Sequence, residues 1–201
     1  MPFRVIDLPP YWRILPPNVP ADSAGPSQAL SLVRLESGRG FGTGSHETTQ
    51  LCMLALGHWL RAGPTPQRVL DFGAGSGILA IAAALAGARV LAVEIDEPSI
   101  AHAHQNAVLN GVEQRIEFRT HLGEEDPPFD LIFANVLKQV LLDYAEPISK
   151  RLSERGKLIL SGLFATDIPA ILGRYRPLLP SMIGEVFERG DWRALTFRPA
   201  S

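Results

Sequence analysis

The stretch 69–80 constrains this chain more than any other, because it joins a strand, a glycine-rich turn and the start of a helix. A β-favouring run, 69–72, leads into three alternating glycines, Gly73, Gly75 and Gly77, and an almost wholly apolar segment follows. Alternating glycines permit positive φ angles and close approach of a ligand, and the first N–H groups of the helix point at that ligand. The pattern predicts a buried strand of an α/β sheet with a ligand on the turn.

An acidic residue follows at the distance expected for a ribose-binding carboxylate. A second strand is predicted over residues 89–94, and it ends in Glu94, which lies 21 residues after Gly73. The glycines read G-x-G-x-G, whereas dinucleotide-binding turns read G-x-G-x-x-G, and Ile78 stands where that third glycine would fall. With Asp71 ahead of the turn, the pattern favours S-adenosylmethionine over a dinucleotide. A purely structural turn, with Glu94 as a solvated strand end, is the alternative.

Composition limits the class of protein. The chain has 201 residues and a net charge of -2, which suits one α/β domain and offers no broad basic footprint for nucleic acid. Its single cysteine, Cys52, excludes an intrachain disulfide and fits a reducing compartment. The start lacks the apolar core of a signal peptide, and the longest apolar stretch, 78–93, is interrupted by Gly87 and Arg89. We therefore expect a cytoplasmic protein without a membrane span.

Two segments precede the glycine turn. Seven of the 17 prolines fall in residues 1–26, so we predict an extended, proline-rich amino-terminal arm over residues 1–30 and a single domain over residues 31–201. A glycine-dense loop then opens a helix that runs to Leu60, with Ser45 as the predicted N-cap. The loop lacks the lysine of a phosphate-binding loop, and no G-x-S-x-G elbow of a serine hydrolase occurs in the chain.

The second half of the chain continues the alternation of strands and helices. The predicted elements are strands 115–119 and 129–134, helix 138–152, strand 157–161, helix 167–175 and a hairpin of strands 182–189 and 192–198. Asn135 ends the fourth strand, so it should share a rim with Glu94 and the glycine turn. His102 and His104 are two residues apart on a helix and face different directions, so no metal site is predicted.

Five strands linked by helices and then an antiparallel hairpin predict an α/β fold of the class I (Rossmann-like) S-adenosylmethionine-dependent methyltransferases. These enzymes have a seven-stranded sheet that ends in an antiparallel hairpin. Asp71, Gly73, Gly75, Gly77 and Glu94 are accordingly the predicted cofactor-binding residues.

Four segments resemble one family. Residues 41–49 read F-G-T-G-S-H-E-T-T, residues 71–82 read D-F-G-A-G-S-G-I-L-A-I-A, residues 134–137 read A-N-V-L, residues 160–162 read L-S-G, and Trp192 follows late in the chain. Together they resemble the bacterial PrmA family, which methylates large-subunit ribosomal protein eleven. The first segment is the specific one, because class I methyltransferases at large share the second. Relatives carry a separate amino-terminal domain, whereas about 30 proline-rich residues precede the matching region here.

The resemblance implies an enzyme that transfers a methyl group from S-adenosylmethionine to a lysine or α-amino nitrogen of a ribosomal protein, with no direct contact to nucleic acid. Thr49, Gly73, Glu94 and Asn135 match the positions that bind the cofactor, with Glu94 replacing the aspartate of most relatives.

Two residues are candidates for a catalytic role. Asn135 can accept hydrogen bonds from the amine and orient its lone pair toward the methyl group. His46 is a candidate general base, because histidine can accept a proton near neutral pH, although its ring can equally hold the glycine loop closed. A methyltransferase acting on another protein or a small molecule, and a non-enzymatic nucleoside-binding module, are the alternative functions.

Overall fold

A computed structural model describes residues 4–20, 31–36 and 42–200 of the chain. Its strands are β1 (Ile6–Leu8), β2 (Trp12–Leu15), β3 (Ser31–Arg34), β4 (Arg68–Phe72), β5 (Arg89–Val93), β6 (Ile116–Arg119), β7 (Phe129–Asn135), β8 (Leu152–Phe164), β9 (Met182–Arg189) and β10 (Trp192–Pro199). Its α-helices are α1 (Glu47–Ala62), α2 (Ile78–Leu85), α3 (Glu97–Leu109), α4 (Lys138–Asp143), α5 (Ala145–Lys150) and α6 (Ile168–Tyr175).

The central sheet has seven strands in the order β6-β5-β4-β7-β8-β10-β9. The first five are parallel, and β10 pairs antiparallel with both β8 and β9. Separate apolar clusters cover the two faces of the sheet, one built largely from α1 and α2 and the other from α4, α5 and α6. The predicted class I methyltransferase fold, with its final antiparallel hairpin, is confirmed.

The predicted helix 138–152 is wrong in one respect, because it is two short helices that meet at Tyr144. Pro147 explains the break: it has no N–H to donate, and its ring excludes the carbonyl of Asp143 from a continuous helix. The following strand is also longer than the predicted 157–161, because β8 begins at Leu152, which pairs with Phe129 of β7.

A second, small sheet of three strands packs against α1. β1 pairs antiparallel with β2, and β2 pairs parallel with β3, so this sheet uses residues on both sides of position 30. The buried indole of Trp12 donates a hydrogen bond of 2.7 Å to the carbonyl of Met53 in α1. Gly57 of the same helix leaves room for Tyr11, since a Cβ there would lie 2.3 Å from the tyrosine ring. β1 and β2 are extended, as expected for the arm. Residues 1–3 and 21–30 of the arm lie outside the described residues. The boundary between arm and domain at residue 30 stays a prediction.

A buried carboxylate connects β4 to α2. Asp71 is 1% exposed, and its Oδ2 accepts a hydrogen bond of 3.0 Å from the backbone N–H of Ala80. Burial raises the pKa of Asp71 to about 7, and the charge of Glu94 pushes it in the same direction. The Asp71 carboxyl group therefore lies beneath the turn between β4 and α2 and is protonated more readily than that of an exposed aspartate.

None of the helices within residues 4–20, 31–36 and 42–200 has the length and apolar character needed to cross a membrane.

Replacing Trp12 with alanine should detach the small sheet from α1. The change leaves a cavity in a fully packed contact, and we expect the free energy of unfolding to fall by about 3–5 kcal/mol. Chemical denaturation followed by circular dichroism measures this loss. Phe187→Ala, at a side chain that is 43% exposed, is the matched control and should cost far less. Equal losses in the two variants would contradict the role assigned to Trp12.

Asp71 should make stability depend on pH. Between about pH 4 and pH 7 the folded protein retains a proton that the unfolded chain has released, so stability is highest at the acidic end and falls as pH rises through this window. Asp71→Asn keeps an acceptor for Ala80 but cannot titrate, and it should remove up to about 4 kcal/mol of this dependence. Urea denaturation at pH 5 and pH 7.5 measures it, with the exposed Asp191→Asn as control. An unchanged pH profile in Asp71→Asn would refute the assignment.

Candidate active site

Strand register brings the predicted site residues to one rim. Phe72 of β4 pairs with Val93 of β5 on one side and with Ala134 of β7 on the other. Because the three strands are parallel and end at this level, the residues that follow them leave the sheet together. They surround a cleft of about 380 Å³. Its lining comprises Gly42, Thr49, Phe72, Gly73, Ala74, Gly75, Ile78, Leu79, Val93, Glu94, Ile95, Asn135, Val136, Leu137, Val140 and Tyr144.

The glycine turn forms one wall of this cleft. Gly73 has a φ of +80°, and a Cβ there would lie 2.2 Å from Cγ1 of Val136, so both the backbone angle and the packing require glycine. The N–H groups of Gly73 and Ala74 both donate to the carbonyl of Val93, at 2.8 and 3.0 Å. These bonds hold the turn against the end of β5, beside Glu94.

The carboxylate of Glu94 is fixed from two sides. Its Oε2 accepts a hydrogen bond of 3.0 Å from the N–H of Gly75, and its Oε1 accepts one of 3.1 Å from the N–H of Asp96. Each oxygen keeps a further lone pair, since a carboxylate oxygen can accept two hydrogen bonds. The group is thus oriented to accept bonds from two neighbouring hydroxyls of a ligand in the cleft.

Asn135 lies beside Thr49 on the opposite side of the cleft. Its Nδ2 donates to Oγ1 of Thr49 at 3.4 Å, which joins the end of β7 to the first turn of α1. Its Oδ1 is buried, and no donor among the described residues reaches it. Buried polar atoms normally have a partner, so this oxygen indicates that a bound ligand or water supplies the missing donor.

His46 is the N-cap of α1, so the prediction of Ser45 at that position is wrong. Nδ1 of His46 lies 2.9 Å from Oγ1 of Thr48 and accepts from the Thr48 N–H at 3.4 Å, whereas Oγ of Ser45 contacts Thr43 instead. The His46 ring meets the edge of Trp192 at a centroid distance of 4.7 Å. His46 therefore stands next to the cleft without lining it.

Two predicted cofactor-binding residues lie behind the turn and do not line the cleft. Asp71 is buried beneath it, where it bonds to Ala80. Gly77 is the N-cap of α2, where an added Cβ would lie 3.0 Å from Cβ of Ala103 in α3. Their observed contacts stabilise the turn, while Thr49, Gly73, Gly75, Glu94 and Asn135 line the cleft.

An apolar wall of the cleft was missed at the level of sequence. Ile95, Leu137, Val140 and Tyr144 contribute to it, and Ile95 and Leu137 are 85% and 76% exposed. A signal was present, because each of these two large apolar residues follows shortly after a polar residue that ends a strand. Exposed apolar side chains at such a rim are suited to cover a flat aromatic group such as an adenine.

The two histidines on α3 contact different groups of the protein. Nε2 of His102 lies 3.1 Å from the carbonyl of Glu36. His104 lies against Phe118, with ring centroids 5.8 Å apart. In the described ranges, no group of three or more histidine, cysteine, aspartate or glutamate side chains is arranged to hold a metal ion.

Solved structures similar to this chain share its architecture. The crystal structure of ribosomal protein L11 methylase from Lactobacillus delbrueckii subsp. bulgaricus superposes with a TM-score of 0.85 at 35% identity, covering 99% of this chain and 100% of that one. A methyltransferase from Pyrococcus furiosus, at 21% identity and a TM-score of 0.66, covers 82% of this chain and 87% of its own, and it supports the fold alone.

Sequence comparisons agree with the structural similarity. A protein named ribosomal protein L11 methyltransferase from Lactobacillus delbrueckii subsp. bulgaricus is 40% identical over 171 residues, which are 84% of this chain and 53% of that protein. One of the same name from Rhodopseudomonas palustris is 42% identical over 158 residues, or 75% of this chain and 53% of that protein. The chain thus spans about half the length of the curated relatives it matches. The family model for ribosomal protein L11 methyltransferase (PrmA) matches residues 17–200, and the chain belongs to this family.

Proposed function

We propose that this chain is an S-adenosylmethionine-dependent methyltransferase whose acceptor is a lysine or α-amino nitrogen of a protein, namely ribosomal protein L11. The family membership and the names of the relatives support the acceptor. One observation carries the chemistry: Asn135, whose buried Oδ1 has no donor among the described residues, lines the same cleft as the fixed carboxylate of Glu94. A cytoplasmic location and a protein partner belong to the same proposal.

The residues of the cleft fit the proposed cofactor. Glu94 can accept bonds from the two ribose hydroxyls, and Ile95, Leu137 and Tyr144 can cover the adenine with apolar surface. The glycine turn carries no basic side chain, which suits a nucleoside without phosphates. When bound, the cofactor supplies a methyl group activated by its positively charged sulfur.

The task of the protein is to hold a neutral amine against that methyl group. A lysine has a reference pKa of about 10.4, so removing its proton at pH 7 costs roughly 4–5 kcal/mol. Apolar surface beside the bound amine disfavours its charged form and lowers this cost. Asn135 then accepts a hydrogen bond from the amine through Oδ1 and fixes the direction of its lone pair.

His46 has a positioning role in this proposal. Its Nδ1 is occupied by the first turn of α1, at Thr48, and its ring rests against Trp192. Both contacts support the interpretation that the histidine holds the start of α1, and with it Thr49, next to Asn135.

Glu94 should determine cofactor affinity. Glu94→Ala removes two hydrogen bonds to a charged acceptor and should weaken binding of S-adenosylmethionine about 10- to 100-fold. Glu94→Asp, which restores the residue of most relatives, should stay within a few-fold of the original. Isothermal titration calorimetry measures both variants, with Glu97→Ala on the exposed first turn of α3 as control. Full affinity in Glu94→Ala would remove this residue from the ribose site.

Asn135 should be required for transfer more than for folding. Asn135→Ala should lower kcat about 100-fold, a loss typical of an orienting hydrogen-bond partner, while the circular dichroism spectrum is unchanged. The assay is transfer of labelled methyl groups to purified ribosomal protein L11, with mass spectrometry locating the label. An asparagine remote from the cleft, Asn110, provides the matched control.

The same labelling, carried out in a fractionated lysate in place of purified ribosomal protein L11, separates the alternative functions. Label on another protein or a small molecule in a fractionated lysate would overturn the proposed acceptor and leave the chemistry intact. Cofactor binding without transfer to any acceptor would instead indicate a nucleoside-binding module. Full turnover in Asn135→Ala would refute the role of this side chain.

A further inference from the structure

We propose that Asn106 of α3 is a positioning residue for the cofactor cleft, because it joins the glycine turn to the end of β3. This inference rests on the proposed function, since the turn matters for catalysis only if it binds the cofactor. Asn106 is fully buried and does not line the cleft. Its effect on the site must therefore pass through the groups that it contacts.

Both polar atoms of the Asn106 side chain bind backbone groups from different segments. Nδ2 donates to the carbonyl of Ser76 in the glycine turn at 3.0 Å, and Oδ1 accepts from the N–H of Glu36 just beyond β3 at 2.9 Å. The first segment follows β4 of the central sheet, and the second follows β3 of the small sheet. The amide of Asn106 is thus a direct polar connection between the small sheet and the turn of the central sheet.

Ser76 extends this connection into the lining of the cleft. Its side chain is buried, and Oγ donates a hydrogen bond of 2.6 Å to the carbonyl of Gly42. Gly42 lines the cleft with a φ of +98°, and an added Cβ would lie 3.2 Å from Oγ of Ser76. Asn106, through Ser76, therefore fixes Gly42 as well as the turn.

The same connection reaches the carboxylate of Glu94. Ser76 directly follows Gly75, whose N–H donates to Oε2 of Glu94. If Ser76 loses the bond that holds its carbonyl, the neighbouring N–H of Gly75 shifts with it, and the orientation of the Glu94 carboxylate is no longer fixed. Loss of Asn106 should consequently weaken cofactor binding even though Asn106 does not touch the cleft.

Asn110, the C-cap of α3 and one helical turn after Asn106, offers a comparison. Its Oδ1 accepts from the N–H of Arg34 at 2.8 Å, and its Nδ2 donates to the carbonyl of Arg34 at 2.7 Å. Asn110 thus holds the small sheet by the same chemistry, but it has no hydrogen bond to the glycine turn. If Asn106 acted only by holding the small sheet, its loss would change the Kd of the cofactor no more than the loss of Asn110.

The test compares Asn106→Ala with Asn110→Ala, using calorimetry for the Kd of S-adenosylmethionine and thermal unfolding for stability. We expect both variants to lose stability, while the Kd rises about tenfold in Asn106→Ala and stays within twofold in Asn110→Ala. In the methyl transfer assay, KM for the cofactor should rise in Asn106→Ala with kcat nearly unchanged. Equal Kd values for the two variants would overturn the proposal.

Hydrogen exchange keeps the proposal testable without a cofactor. Exchange of the backbone N–H groups around Ser76 and Gly42 should accelerate in Asn106→Ala and Ser76→Ala, and not in Asn110→Ala. Ser76→Ala, which removes only one hydroxyl, covers the case in which Asn106→Ala fails to fold. If the unaltered protein does not bind S-adenosylmethionine, the proposed function fails. If hydrogen exchange at the turn is unchanged in Asn106→Ala and in Ser76→Ala, the positioning role of Asn106 is refuted.

Discussion

The cleft of this protein depends on the pairing of β4 with a parallel neighbour on each side. Backbone hydrogen bonds place Phe72 level with Val93 of β5 and with Ala134 of β7. Parallel strands in this register end at the same level, so Gly73, Glu94 and Asn135 lie on one rim of the sheet. A shift of one residue in either pairing would point every side chain of that strand to the opposite face of the sheet, and the buried apolar residues on both faces oppose such a shift.

The interior behind the cleft is polar at a few positions, and each has a defined contact. Asp71 holds the first turn of α2 from within the core, and Asn106 holds Ser76 from α3. Such groups are costly to bury, because they lose water and must find partners inside the protein. Their concentration behind the glycine turn shows that the position of the turn is determined by hydrogen bonds as well as by apolar packing.

Three aromatic rings near the start of α1 come from segments far apart in the chain. His46 caps α1, Trp192 begins β10, and Phe164 ends β8, yet the three rings lie in a row, with Phe164 stacked on Trp192 at 4.3 Å. The antiparallel return of β10 along β8 places Trp192 opposite Phe164. The final hairpin contributes no residue to the cleft lining. It nevertheless places Trp192 between Phe164 and His46, the N-cap of α1.

The amino-acid sequence by itself determined the fold class, the order of the central strands and helices, and the residues at the ends of β4, β5 and β7. These follow from local patterns: glycine spacing, apolar runs and the polar residue after each strand. The periodicity of the chain did not predict the small sheet or the cap at His46, because both depend on particular contacts. It also did not predict the break between α4 and α5 at Tyr144, which depends on the single residue Pro147. Only the tertiary structure placed Asp71 and Gly77 behind the turn, Ile95 and Leu137 in the wall, and Asn106 against Ser76. The physical reason is that periodicity reports which face of an element is buried, whereas the partner of a buried polar atom is decided by segments distant in sequence.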